Sequence, residues 1–393
     1  MTSPTTLHVP GDHPSIAEAL AAAQDGDTIH IDGRIESPHV RIEKEITLTG
    51  DTLVGLDPVA IGLFASATVR GLRVENPQGH GVVSMVGTPA IENVTFNVGQ
   101  TALACGSDAA PTIRGCNIES CRVGLSAQDT AAPDVKGLTV SSRGTGLLLR
   151  GQSRGTFREV GIVAGQMSGV EVTDEAAPEL EQVVVALGGA GGFFIHGAST
   201  PTLRACGVKS VQLAGIEVAE TANPTIDGVQ VSEVQGSGLF LHGKSTGTYM
   251  DLSIEACAMA CIEVAEEASP EIEGGSLRAG QGHGLWVREN SRAEVLSLAI
   301  SHHAAMGIQA TDKAHCSLED CSITKNRDHG LFAKDQARVA LTRCGISENA
   351  GHGVLASDTA RVSTGNCEIS DNSGADLQPT GNGQIEETEE TRG

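Results

Sequence analysis

The sequence predicts an all-β fold, a parallel β-helix, from three observations. A glycine followed by an apolar residue recurs along the chain, and from Gly146 to Gly353 these anchor positions are 23 residues apart. Beyond each anchor, apolar residues alternate with other residues, which is the period of a strand with one buried face. Seven residues after the anchors lies a column of alanine and serine, and no helix intervenes between the short strands.

The repeat indicates how the coils associate. A 23-residue coil cannot bury its own apolar face, so each coil must stack on the next at the strand spacing of ~4.8 Å. Fourteen anchors predict about 14 coils. The anchor positions are Gly62, Gly81, Ala102, Gly124, Gly146, Gly169, Gly192, Gly215, Gly238, Cys261, Gly284, Gly307, Gly330 and Gly353.

Two further columns follow the same spacing. Asparagines share one turn position in three successive coils, which predicts a stacked amide ladder. Cysteines share an inward position, where we expect them to act as small core residues. These residues are Asn326, Asn349 and Asn372 in the first column and Cys321, Cys344 and Cys367 in the second.

The two ends of the chain depart from the repeat. Residues 1–50 are predicted to form an N-terminal cap and the first strands, with a helix at about 14–24 that closes the exposed sheet edge. Pro14 suits a first helical turn, and Ile16, Leu20 and Ala23 share one helical face. Residues 51–377 form the predicted β-helix, and residues 378–393 are predicted to be an acidic, disordered tail.

Composition limits the partners and the location. The net charge is −23, so neither nucleic acid nor an anionic membrane is an expected partner. No basic segment precedes an apolar run near the start, and no apolar run approaches the ~18 residues of a membrane span. Ten cysteines in such a chain predict reduced thiols and a cytoplasmic location. Their spacing does not match a zinc site, and no cofactor is expected.

A family resemblance supports this fold. The segment "VPGDHPSIAEALAAAQDGDTIHI", followed by glycine-anchored coils, resembles the right-handed parallel β-helix (pectin-lyase-like) superfamily. The repeats are similar to its carbohydrate-binding and sugar-hydrolase type, over about residues 5–377. The resemblance implies a right-handed helix with three sheets per coil. Members include pectate lyases, polygalacturonases, uronate epimerases and non-enzymatic interaction domains.

The catalytic motifs of these relatives are largely missing. Of the polygalacturonase set, only Gly-His-Gly is present, at 79–81, 282–284 and 351–353. The alginate epimerase segment is absent, and no aspartate cluster indicates calcium. The histidines His283, His329 and His352 precede anchors and are weak metal candidates. We interpret these histidines as a polar turn column and predict no metal. The absence of the relatives' catalytic motifs favours a chain without catalytic activity.

An outward column carries the strongest functional signal. Two residues after the anchors, aromatic residues alternate with glutamates, and four after the anchors the aromatic coils carry a cation. We call these residues the outward ladder: Phe194, Phe240, Trp286 and Phe332, the glutamates Glu171, Glu217 and Glu263, and the cations His196, His242, Arg288 and Lys334. An exposed row of aromatic and cationic residues is typical of an interface.

Two functions are consistent with the outward ladder. The first, which the missing motifs favour, is a non-catalytic interaction or scaffold protein that binds a protein partner or a second copy of itself as a homodimer. The alternative is an intracellular carbohydrate- or polymer-active enzyme, a lyase, hydrolase or epimerase, with the outward ladder as its substrate groove. In that case the predicted acid, base and electrostatic groups are Glu217, Glu263, His242 and Arg288.

Overall fold

The computed structural model describes residues 3–388 and divides the chain into two compact units, Met1–Ala190 and Gly191–Gly393. The fold is all-β, a parallel β-helix, as predicted. Within the described residues one helix occurs, α1 at Ile16–Ala22. No helix in that part of the chain is long and apolar enough to span a membrane.

The first unit contains α1 and nineteen strands, which pair in parallel, each with the equivalent strand one coil away. Strands β3, β5, β8, β11, β14, β16 and β18 form one face, and the others form the remaining wall. In chain order β1 to β19 are Thr6–Val9, Thr28–Ser37, Val40–Ile42, Thr47–Gly55, Val59–Leu63, Thr68–Arg70, Arg73–Asn76, His80–Ser84, Ala90–Glu92, Thr95–Val98, Thr101–Cys105, Thr112–Arg114, Asn117–Ser120, Val123–Ala127, Asp134–Ser141, Thr145–Leu149, Thr156–Val163, Val170–Val172 and Glu179–Ala186.

The second unit repeats this arrangement, with β20, β23, β26, β28, β30, β33, β36, β39 and β42 on the equivalent face. In chain order β20 to β43 are Phe193–Ile195, Thr202–Arg204, Gly207–Lys209, Ile216–Val218, Thr225–Asp227, Gln230–Ser232, Leu239–Leu241, Thr248–Glu255, Ile262–Val264, Glu271–Arg278, Leu285–Val287, Arg292–Leu296, Ala299–Ser301, Ile308–Ala310, His315–Glu319, Ser322–Thr324, Leu331–Ala333, Arg338–Thr342, Gly345–Ser347, Val354–Ala356, Arg361–Gly365, Glu368–Ser370, Leu377–Pro379 and Gln384–Thr388.

The number of coils differs from the prediction. The solenoid has about 17 turns rather than about 14, because coils without a glycine anchor extend the repeat. Strand β3 pairs with β5 ahead of the first anchor, and β42 pairs with β39 after the last one. Residues 378–388, part of the predicted disordered tail, include strand β43, which pairs with β40. Residues 389–393 lie outside the described part of the chain.

The cap helix begins one residue after Ser15. The Ser15 hydroxyl accepts the Glu18 backbone N–H at 3.2 Å, which satisfies one of the free donors of the first turn. Lys44 supports the other end, since its Nζ donates to the carbonyls of Leu20 at 2.8 Å and Ala23 at 2.6 Å. The observed helix, Ile16–Ala22, lies within the range of about 14–24 that the sequence predicts.

The core is made of the stacked inward columns. Ala222 and Ser245 of the small column are 0% and 1% exposed, which leaves no room for a larger side chain. Glycine is needed at the anchors because a Cβ on Gly330 would lie 2.5 Å from the Ile346 side chain and 2.7 Å from the Gly353 carbonyl oxygen. The predicted amide ladder is present, with Asn326 Nδ2 donating to Asn349 Oδ1 at 2.9 Å.

All ten cysteines are free, and nine are buried. Cys321 and Cys344 point inward as predicted, at 2% and 1% exposure, whereas Cys367 is half-buried. Burial raises the pKa of Cys316 to about 12 and that of Cys116 to about 11. These thiols therefore remain protonated at neutral pH and serve as small apolar side chains.

Candidate functional site

The outward ladder of the second unit is a continuous column in space. Phe194 pairs with Glu217 across neighbouring strands, and Glu217 pairs with Phe240. Leu239 and Leu241, on either side of Phe240, are buried, while Phe240 itself is half-buried. The repeat thus places the aromatic residues on one line, but they are less exposed than an open interface would require.

The rings are covered by the cations of their own coils. Phe194 stacks on His196 with ring centroids 4.1 Å apart, and Phe240 stacks on His242 at 4.5 Å. The Arg288 guanidinium lies 5.2 Å from the centroid of the Trp286 ring. Phe194, Phe240 and Trp286 therefore each form a local unit with the basic side chain of the same coil.

The charges of the outward ladder are paired with one another. His242 Nε2 lies 3.1 Å from Glu217 Oε1, and Arg288 Nε donates to Glu263 Oε1 at 3.0 Å. His242 and Arg288 thus each contact the glutamate of the preceding coil. Lys334 instead lies 4.0 Å from Asp335 of its own coil. Glu263 is only 4% exposed and also accepts the Ser237 hydroxyl at 2.6 Å. Glu263 thus pairs with Arg288, whereas Glu217 pairs with His242.

The His242 pair predicts a pH-dependent stability. The hydrogen bond that His242 donates to the Glu217 carboxylate raises the pKa of His242 above its ordinary value of 6.5, although burial opposes the shift. The charged imidazole therefore contributes stability that is fully present below the ordinary pKa and is lost as the pH rises through the raised value. We expect His242→Ala to lower the free energy of unfolding by about 1 kcal/mol more in mild acid than in alkaline solution.

Chemical unfolding of the native protein and of His242→Ala, in mild acid and in alkaline solution, measures this difference. Glu217→Gln is the partner variant. Loss of the Phe240 stacking contact also depends on the charge of the imidazole, so the ion pair is isolated by comparing the effect of His242→Ala in the native and in the Glu217→Gln background. A His242→Ala effect of equal size in acid and alkali would show that the pair contributes nothing.

The weak metal candidates are held by the backbone. The His352 N–H donates to His329 Nδ1 at 2.8 Å, and the Ala375 N–H donates to His352 Nδ1 at 2.9 Å. The two rings stack with centroids 5.1 Å apart. Burial lowers the pKa of His283 and of His329. These contacts fit the polar turn column that the sequence indicates, and Nδ1 of the stacked pair is already an acceptor.

A groove on the other wall of the second unit was missed by the sequence reasoning. It lies across β31, β34, β37, β40 and β43 and has a volume of about 420 Å³. Arg292, His315, Arg338 and Arg361 pair in register across successive strands and form one column of three arginines and a histidine. We call this concavity, which is also lined by Ser317, Ala340, Ser363, Glu294 and Glu386, the arginine groove.

The cations of the arginine groove are unpaired within the described residues. None of Arg292, His315, Arg338 and Arg361 has an ion pair or a side-chain hydrogen bond there, unlike the cations of the outward ladder. The three arginines are exposed, and the residues two positions further along the middle strands are small, namely Ser317, Ala340 and Ser363. Those small side chains leave a shallow trough beside the column.

Glu171, the remaining outward-ladder glutamate, belongs to the first unit. It lines a separate cavity of about 1040 Å³ with Arg122, Arg143 and the exposed Met167. Arg143 donates to the Gly99 carbonyl at 3.1 Å, so one of the two arginines is already engaged. This cavity lacks the continuous row of cations found in the arginine groove.

The fold defines a parallel β-helix protein with open grooves on its surface. The family model described as "Right handed beta helix region" matches residues 60–186, 124–251, 191–301 and 250–389, and the chain belongs to this family. The resemblance to the pectin-lyase-like superfamily is thereby confirmed. No curated protein matches the chain.

Several solved structures are similar to the chain. A double mutant of the periplasmic alginate epimerase AlgG has a TM-score of 0.60 at 14% identity, covering 69% of this chain and 77% of that one. A second AlgG mutant has a TM-score of 0.53 at 13% identity, with 69% and 75% covered. A GH87 alpha-1,3-glucanase from Streptomyces thermodiastaticus has a TM-score of 0.40 at 12% identity, with 98% and 67% covered.

These comparisons correct two predictions. The main hypothesis of a non-catalytic scaffold is wrong, because the similar structures are carbohydrate-active enzymes, and the enzyme alternative is better supported. The cytoplasmic location is also wrong, because the similar epimerase structures are of a periplasmic protein. Both predictions rested on an absence. The scaffold hypothesis rested on the missing catalytic motifs, and the cytoplasmic location rested on the lack of a recognisable signal peptide.

Proposed function

We propose that the protein is a carbohydrate-active enzyme whose substrate is an anionic polysaccharide bound along the arginine groove. The observation that carries the proposal is the row of unpaired arginines, Arg292, Arg338 and Arg361, with His315 between the first two, in a chain of net charge −23. The similar epimerase structures support the enzyme class, and the cations support the charge of the substrate.

Electrostatics favour a linear anion over a small one. Like charges directly opposite each other on neighbouring strands repel, by about 1 kcal/mol per adjacent pair at the ~4.8 Å strand spacing in a water-like dielectric. In an acidic chain, carboxylates on the neighbouring coils would remove this cost, as Glu217 and Glu263 do for His242 and Arg288 in the outward ladder. The arginine groove instead leaves its cations free along several coils. A polymer with repeated carboxylates satisfies them together.

The residues present also supply a reaction. An arginine paired with a sugar carboxylate withdraws charge and makes the adjacent C–H more acidic, which is electrostatic stabilisation of the anion that forms on proton loss. His315, between Arg292 and Arg338 in the column, is the group that removes this proton. Return of a proton to the opposite face gives an epimer, while expulsion of the neighbouring glycosidic oxygen gives an unsaturated sugar.

Glu294 is the second proton-transfer group of the groove. It lines the groove two positions after Arg292 and pairs in register with Ser317, so it lies diagonally across from His315. A carboxylic acid and an imidazole on one groove can divide the roles of proton donor and acceptor. The predicted catalytic role of Glu217, Glu263, His242 and Arg288 stays a prediction, and their mutual pairing favours a structural role.

Binding and turnover can be tested together. We expect the protein to bind alginate and polygalacturonate, to bind neutral alpha-1,3-glucan far less, and to lose affinity as salt is raised, since exposed charges are screened. Proton NMR of the incubated polymers detects epimerisation, and ultraviolet absorbance detects elimination.

Arg338→Ala should weaken binding, whereas the exposed Arg327, outside the arginine groove, provides the control Arg327→Ala. Turnover of the neutral glucan alone, or equal binding by both variants and the native protein, would contradict the proposal.

A further inference from the structure

We propose a binding site for a divalent transition-metal ion at His8, His30 and Asp32, in the N-terminal cap of the first unit. One ligand atom from each of these side chains lies within 4.8 Å of the other two. Among the described residues, it is the one group of three or more metal-ligating side chains whose ligand atoms lie this close together. It is separate from the arginine groove, and the inference does not depend on the proposed function.

Strand pairing creates the cluster. Strands β1 and β2 pair in parallel with His8 directly opposite His30, which places the two imidazoles side by side. Asp32 follows His30 by two residues, so its side chain leaves the strand on the same face. Asp32 Oδ2 lies 2.9 Å from His8 Nδ1, and Asp32 Oδ1 lies 3.4 Å from His30 Nε2.

These distances suit a metal ion. Zinc binds imidazole nitrogen and carboxylate oxygen at about 2.0–2.2 Å, so neighbouring ligand atoms of a tetrahedral site are ~3.3 Å apart. The carboxylate already contacts both rings, and small side-chain rotations bring the three atoms to one centre. Two imidazoles and one carboxylate favour zinc, cobalt or nickel, whereas calcium and magnesium prefer oxygen ligands.

A β-bulge directs the carboxylate toward the histidines. The register of β2 with β4 shifts between Ile31 and Arg34, so Asp32 and Gly33 form an extra-residue bulge. Gly33 has φ 81, a conformation that favours glycine, and its N–H donates to Asp51 Oδ2 at 2.8 Å. Bulges of this kind re-aim a side chain at the edge of a sheet. The position of Asp32 is therefore held by the backbone.

The cluster is open on its outer side. The side chains of His8, His30 and Asp32 are 47%, 37% and 47% exposed. Strand β1 ends at Val9, beside Ile31, so no residue of β1 pairs with Asp32. A bound ion would retain at least one position for water or an external ligand, as in sites with three protein ligands. It would also cross-link β1 to β2.

Titration calorimetry of the untagged full chain with zinc chloride tests the site. We expect one equivalent to bind, with Asp32→Ala and His30→Ala each lowering the affinity by at least about tenfold. His39→Ala is the matched control, because His39 is an exposed histidine of the same unit outside the cluster. Calcium chloride should give no saturable binding. The buried thiols of the folded chain do not compete.

A second readout separates ligation from loss of folding. Cobalt bound to these ligands should give visible d–d absorption, which Asp32→Ala removes while circular dichroism stays unchanged. Zinc should also slow hydrogen exchange of the Thr6–Val9 amides in the native chain and not in that variant, since the ion ties β1 to β2. Zinc binding that survives both variants, or no saturable binding by the native chain, would overturn the assignment and leave an ordinary histidine–aspartate hydrogen bond.

Discussion

His315→Asn is expected to lower kcat on the anionic polysaccharide by about 10²–10⁴-fold, the range for removal of a positioned general base. The loss should fall on kcat, because the flanking Arg292 and Arg338 still bind the polymer. Arg338→Ala should act mainly on KM, since it removes one of the cations that hold the carboxylates. Steady-state kinetics of the two variants, on the substrate that the native chain turns over, give this split.

The control for His315 is another histidine of the same unit. His302 is exposed and has φ 61, a conformation that asparagine tolerates, so His302→Asn should leave the fold and kcat unchanged. Unfolding curves of both variants exclude a loss of structure as the cause. A folded His315→Asn protein with native kcat would remove His315 from the reaction and direct attention to Glu294.

Arg288→Met is expected to lower the free energy of unfolding of the second unit by about 3 kcal/mol, the lower end of the range for breaking a buried ion pair. Methionine retains most of the apolar stem of arginine but removes its charge. Glu263, 4% exposed, would keep only the Ser237 hydroxyl as a donor. A buried carboxylate with one neutral donor is poorly stabilised.

The chain offers a close control and a rescue. Lys334 occupies the same ladder position two coils later, but its side chain is 39% exposed and its Nζ lies 4.0 Å from Asp335. We expect Lys334→Met to cost less than about 0.5 kcal/mol. Glu263→Gln in the Arg288→Met background should recover part of the loss, because it removes the unpaired charge. Fluorescence of Trp286, the chain's one tryptophan, monitors unfolding next to the substitution. Equal losses in Arg288→Met and Lys334→Met would mean that burial of Glu263 does not matter.

The inward architecture was determined by the sequence alone. Because each residue of a parallel β-helix lies over its counterpart one coil away, a 23-residue spacing specifies neighbours in space as well as in the chain. The small column at Ala222 and Ser245, the inward Cys344 and the Asn326–Asn349 hydrogen bond could therefore be predicted. The same rule placed Phe240 beside Glu217. It failed only where the anchor is absent, as at β3 and β42, so the count of coils was too low.

The outward sites needed the tertiary structure. The column of Arg292, His315, Arg338 and Arg361 stands eight residues after successive anchors, so its alignment was visible in the sequence. Whether a surface charge is paired depends on side-chain reach and on the depth of the surface, which the repeat does not specify. Thus His242 and Arg288 of the outward ladder turned out to be paired with glutamates, whereas the arginines of the arginine groove have no ion pair within residues 3–388. The cluster of His8, His30 and Asp32 lies before the first anchor and depends on a bulge, so only the folded backbone brings its three side chains together.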